Sequence, residues 1–96
     1  MYDVVLEKII QFISDTPSIR NILDVGCGEG FYARQIQQRT ERNIFAFDLS
    51  REAIQIASKK DKRKAVKWFV TDLSKIPLKD GSMDCILDIF SPAHYK

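Results

Sequence analysis

The sequence predicts an α/β fold, a doubly wound parallel sheet. Three observations carry that reading. Short apolar strand segments alternate with amphipathic helical ones, which builds right-handed βαβ units. The second strand, Asn43 to Asp48, is apolar without interruption, as suits a strand covered on both faces. A glycine-rich turn joins the first strand to the helix after it. In such sheets the ligand lies beyond the carboxyl ends of the strands, and the residues with chemistry in them gather there.

Each element has its own justification. Tyr2, Val5, Leu6, Ile9, Ile10 and Ile13 recur at spacings of three and four, giving one apolar stripe on an opening helix. Asp15-Thr16-Pro17 stops it, because the proline ring disfavours a helical residue before it. Asn21 to Val25 reads as a short buried strand. A second helix starts at Phe31, with Phe31, Ala33, Ile36 and Tyr32 available for burial. Ser50 is placed to cap a third helix, whose inner face is Ala53, Ile54 and Ala57. Lys59, Lys60 and Lys62 suit the negative end of that helix. Val66 to Val70 is a third strand, with Trp68 expected in the core. Asp80-Gly81 signals a turn. Asp84 to Phe90 is a fourth strand, ended by Ser91-Pro92.

Composition narrows the function. With 96 residues the chain is one domain, without repeats or a linker. A chain of this size buries roughly 60–65% of its unfolded surface, so its core is small. Hydrophobic residues at 45% and charged residues at 29% describe a folded, soluble domain rather than a disordered tail. No apolar run reaches the roughly 20 residues of a membrane span, and no signal peptide opens the chain. Cys27 and Cys85 form no CxxC pair. With only His94 to add, they exclude a structural zinc site within the chain. The reducing cytoplasm is the expected setting. A net charge of +2 does not by itself imply nucleic acid.

Asp24-Val25-Gly26-Cys27-Gly28-Glu29-Gly30 is the strongest signal. Gly26 lets the chain turn sharply out of the strand. Gly28 keeps the backbone open to a ligand, and Gly30 opens the next helix at close range. The dinucleotide fingerprint GxGxxG fits poorly, since the third glycine comes one residue early and Phe31 stands in its place. Asp24 and Glu29 also put negative charge where a pyrophosphate would sit. No GK[ST] follows, which excludes a phosphate-binding P-loop. An acidic loop suits a cationic ligand without phosphate, such as S-adenosylmethionine (SAM).

The run Leu23 to Gly30 resembles motif I of class I SAM-dependent methyltransferases. That resemblance implies a Rossmann-like, partial methyltransferase fold of about four strands in the order 3-2-1-4. It also implies a role for each strand end. Asp48 would accept from both ribose hydroxyls, followed by Leu49. Asp72 would accept from the adenine amino group while the amide of Leu73 donates to the ring. Asp88 would meet the ammonium or approach the methyl group. Asp24, Gly26, Cys27, Gly28 and Gly30 complete the expected cofactor site. Asp48 as a helix cap, Asp72 as a turn residue and Asp88 as a hydrogen-bonded edge residue are the alternatives. Asp84, at the far end of its strand, is expected to be structural.

A closer likeness adds Asp48-Leu49-Ser50, Ser82-Met83-Asp84 and Ile89-Phe90-Ser91-Pro92. With these the chain is similar to the 23S ribosomal RNA guanine-N1-methyltransferases over roughly residues 20 to 95. It lacks the cysteine-rich zinc module of that family and three further strands, so it is expected to be a fragment. Its fourth strand would then be a bare edge, prone to self-association as a homodimer. Ribosomal RNA is the expected partner of the full-length protein; no membrane or metal is implied. A methyltransferase acting on a small molecule, or a SAM-binding fragment without activity, are the other readings.

Lys59, Lys60, Lys62, Arg63, Lys64 and Lys67 form a basic cluster. It reads as a solvated helix end, although clustered cations also follow a phosphate backbone. Cys27 is expected to point from the loop, open to modification but not placed as a nucleophile. His94 reads as a surface residue. No catalytic residue is assigned.

Overall fold

A computed structural model describes residues 3–75 and 81–88 of the chain, the side chain of Leu73 excepted. Tyr2, Asp80, Ile89, Phe90, Ser91, Pro92 and His94 lie outside the described residues. The first helix, α1, runs from Val4 to Ser14, and Asp3 caps it by accepting from the Leu6 amide at 3.1 Å. Leu6, Ile10 and Ile13 are its buried line. Val5, expected on that stripe, is 54% exposed. It lies about 100° around the helix from Leu6, past the edge of a narrow contact.

Strand β1 (Asn21–Val25) is followed by α2 (Phe31–Thr40), β2 (Asn43–Asp48), α3 (Arg51–Lys60) and β3 (Val66–Val70). A 3₁₀ turn over Leu73–Lys75 and strand β4 (Cys85–Leu87) complete the described chain. All strand pairs are parallel, in the order β3-β2-β1-β4. That is the expected order. It follows from two crossovers that step one way and a third that returns to the other side of β1.

Side chains alternate across a sheet, and the register sorts them. Ile22, Ile44 and Val66 stand side by side and, with Ala46, join Leu6, Ile10, Ile13, Ala33, Ile36 and Ile54 in the core beneath the helices. The opposite face carries Leu23 beside Phe45, and Phe47 beside Phe69. The two rings of the latter pair stack at 4.8 Å. Phe31 was expected in the core, but it is 43% exposed. Ala33 and Ile36 take the inward positions of α2, and Phe31 sits on its outer side at the sheet's carboxyl end.

The fourth strand is shorter than expected at its start. Asp84 precedes it and acts as a clasp. Its carboxylate accepts from the amides of Arg20 and Asn21, each at 2.9 Å, and its own amide donates to Asn21. The structural role expected for Asp84 is therefore the observed one.

Candidate functional site

The chain leaves β1 through Gly26, Cys27, Gly28, Glu29 and Gly30. Two of these glycines are required for different reasons. Gly26 has φ +68° and open space where a side chain would stand. Gly30 has φ +79° and none: an added Cβ would lie 2.4 Å from Cη2 of Trp68 and 3.0 Å from Cβ of Ala57. Gly30 thus lets α2 start hard against β3 and α3. Two backbone bonds hold the loop, Cys27 N–H to Phe47 O at 2.8 Å and Gly30 N–H to Cys27 O at 2.9 Å. Asp48 adds a third, accepting from the Gly28 amide at 2.8 Å.

An aspartate marks the carboxyl end of every strand, namely Asp24, Asp48, Asp72 and Asp88. Asp24 is 3% exposed, and its Oδ2 has no hydrogen-bond partner among the described residues. Burial pushes its carboxyl up to about 7, with the negative charges of Asp48 and Asp88 adding to the effect. Asp48 is half-buried; its second oxygen accepts from the Ser50 amide at 2.9 Å. Ser50 itself caps α3 through Ala53. Asp72 receives the hydroxyl of Ser74, and that bond holds its carboxyl below the usual range. Asp88 is exposed.

The expected site residues are therefore gathered unevenly. Asp24, Cys27, Gly28 and Asp48 meet around the glycine loop. Leu49 is 74% exposed beside it, and Asp72 stands beyond β3, engaged in its own turn. Cys27 corrects an expectation. It is 4% exposed, its Sγ faces the Gly28 carbonyl, and burial with the nearby Asp24 and Asp48 raises its thiol. The side chain turns into the core because its amide is tied to β2. It is a packed, unreactive thiol rather than one open to modification.

Trp68 gained a role the pattern of residues did not reveal. Its ring backs Gly30, and its Nε1 donates to Asp61 Oδ2 at 3.1 Å. A tryptophan two strands away from a helix-opening glycine is a tertiary contact without a local signature.

The loop, open at Gly26 and backed by the carboxyl groups of Asp24 and Asp48, fits a ligand that brings positive charge. On this sheet, fold and loop together have the form found in the Rossmann-like class of SAM-dependent methyltransferases. Residues 22–96 match the methyltransferase domain family, and the chain belongs to it. It is 34% identical over 101 aligned residues to a putative 23S rRNA (guanine-N(1)-)-methyltransferase of Bacillus subtilis, covering 98% of this chain and 35% of that protein. A malonyl-[acyl-carrier protein] O-methyltransferase of Serratia marcescens is 30% identical over 78 residues, 81% of this chain and 29% of that one. Among solved structures, the plantazolicin methyltransferase BpumL in complex with SAH superposes with a TM-score of 0.70 at 25% identity. The likeness covers 84% of this chain and 32% of that protein. The chain thus spans about a third of the length of these relatives.

Proposed function

We propose that the chain holds SAM across the carboxyl ends of its strands and that the protein it belongs to methylates guanine N1 of large-subunit ribosomal RNA. One observation carries the cofactor reading: the buried, unpartnered oxygen of Asp24, flanked by Asp48 and Asp88, beside a loop that leaves room at Gly26. An ammonium or sulfonium would meet the charge that nothing else in the site meets. Bound there, the cofactor would supply a methyl on sulfur; guanine N1, giving up its proton to solvent or a base, would form the new bond as the carbon–sulfur bond breaks with its electrons staying on sulfur.

The chain's own share is binding and orientation, the largest part of such a displacement. Asp48 uses one lone pair per oxygen on Gly28 and Ser50, and a carboxylate oxygen has a second. Those remaining pairs serve the ribose hydroxyls. Asp24 and Asp88 face the ammonium. Asp72 and the amide of Leu73 serve the adenine, and Cys27, Gly30 and Leu49 shape the walls.

The RNA acceptor is supported by the relative that aligns with 98% of the chain and by the exposed cations after α3. A carboxyl acceptor on a carrier protein is the second reading, favoured by the malonyl-carrier relative. Calorimetric titration with S-adenosylhomocysteine, with NAD as control, tests the cofactor. The expected result is saturable binding of the first alone, lost in Asp48→Ala. A folded chain that ignores S-adenosylhomocysteine or takes up NAD would sink it. Methyl incorporation by the whole protein into 23S RNA or into malonyl-carrier protein separates the two acceptors.

A further inference from the structure

A groove of about 160 Å³ runs between α2 and the turn after α3. Arg34, Gln37 and Gln38 form one wall; Lys60, Lys62 and Arg63 form the other. The only carboxylate in its lining, Asp61, is turned away: it is 7% exposed and accepts from the Val66 amide and from Trp68. Four cations therefore face the groove with little to balance them. Lys60 reaches Glu29 at 3.2 Å and Arg63 reaches Glu41 at 3.7 Å, exposed pairs of small worth. Lys62 has no ion pair among the described residues.

Arg34 makes the groove more than a charged surface. Its Nε–H is buried and has no acceptor among the described residues, a costly state for a donor. Arg42 shows the contrast. It also belongs to the α2–β2 region, but its guanidinium is consumed by the carbonyls of Ile19, Thr40 and Ile13 at 2.7 to 3.2 Å. That nitrogen of Arg34 is closed off from solvent; it is the terminal amino groups of Arg34, which lines the groove and has no ion pair among the described residues, that are left to donate into it. A planar guanidinium flanked by lysine, arginine and two amides suits phosphate oxygens with sugar hydroxyls between them. The Lys60–Glu29 pair ties one rim of the groove to the glycine loop.

We propose that this groove binds the phosphate backbone of the substrate RNA, with Arg34 as the seated donor and Lys62 and Arg63 as the flanking charges. The inference rests on RNA being the acceptor. Fluorescence anisotropy of the chain with a labelled RNA stem-loop, repeated from about 50 to about 200 mM salt, tests it. Arg34→Gln is expected to weaken binding about tenfold and to lower the salt slope by about 1. The exposed pair Lys62→Gln with Arg63→Gln, which leaves the core untouched, is expected to weaken binding at least as much and to lower the slope by about 1.5. S-adenosylhomocysteine affinity should hold in this pair, and Lys8→Gln on α1 should bind RNA as the parent does. Groove variants that bind RNA normally, or a Lys8→Gln loss of equal size, would overturn the proposal. So would malonyl-carrier protein, rather than RNA, losing affinity in the variants. The acceptor reading is tested apart from this. If the whole protein methylates RNA with KM unchanged in the groove variants, the groove fails and the acceptor stands. If no RNA is methylated while the groove variants still lose RNA binding, the groove is an RNA site but the acceptor reading, and with it the RNA's role as substrate, fails.

Discussion

The two ends of the sheet treat their charges in opposite ways. At the amino end three charged side chains serve the backbone. Asp84 clasps Arg20 and Asn21, Arg42 gathers three carbonyls, and Asp61 binds the first amide of β3. At the carboxyl end each strand closes on an aspartate, and one of them, Asp24, is buried with an oxygen that has no partner among the described residues. The amino end is built for stability. The carboxyl end holds charge in reserve, at a cost to stability that a ligand can offset.

The largest expected effect follows from that reserve. A carboxyl raised from 3.8 to about 7 stabilises the fold only while it stays protonated. Its contribution is complete below about pH 4 and is lost as the pH climbs to about 7. Asp24→Asn should therefore match the parent in urea unfolding at pH 4 and exceed it at pH 8, by on the order of 4 kcal/mol. A variant that is less stable at pH 8 would break the contrast between the ends.

Next comes the loop between them. Gly30→Ala drives a methyl into Trp68 in a left-handed backbone and should cost about 3 kcal/mol. Gly26→Ala meets only the backbone penalty, about 1 kcal/mol, yet should abolish S-adenosylhomocysteine binding in the calorimeter. Equal losses of stability in the two would blur the distinction between a packing glycine and a ligand glycine.

At the amino end the sign reverses. Asp61→Ala leaves the amide of Val66 and the indole of Trp68 without their acceptor, and thermal unfolding should show a loss of about 2 kcal/mol. The smallest effect is Ser50→Ala, about 1 kcal/mol for a lost helix cap, read by the same method.

What could be read in the sequence was what is local. The glycine loop, the aspartate closing each strand and the Ser50 cap are short-range patterns, and the strand order came with the resemblance those patterns supported. What could not be read depends on who packs against whom. Val5 and Phe31 look like core residues, but the helices turn narrower faces inward than their apolar stripes allow. Cys27 looks like a loop thiol until its amide is seen tied to Phe47. The unpartnered oxygen of Asp24 and the spare donor of Arg34 are facts about neighbours that are absent, and no residue pattern carries those.

The close approach of Trp68 to Gly30 has an optical consequence. The chain holds a single tryptophan, and its ring rests against the hinge of the glycine loop. Its emission is thus a built-in gauge of that loop. Any opening or tightening there changes the wetting of the indole, and a spectrometer can follow it without a label.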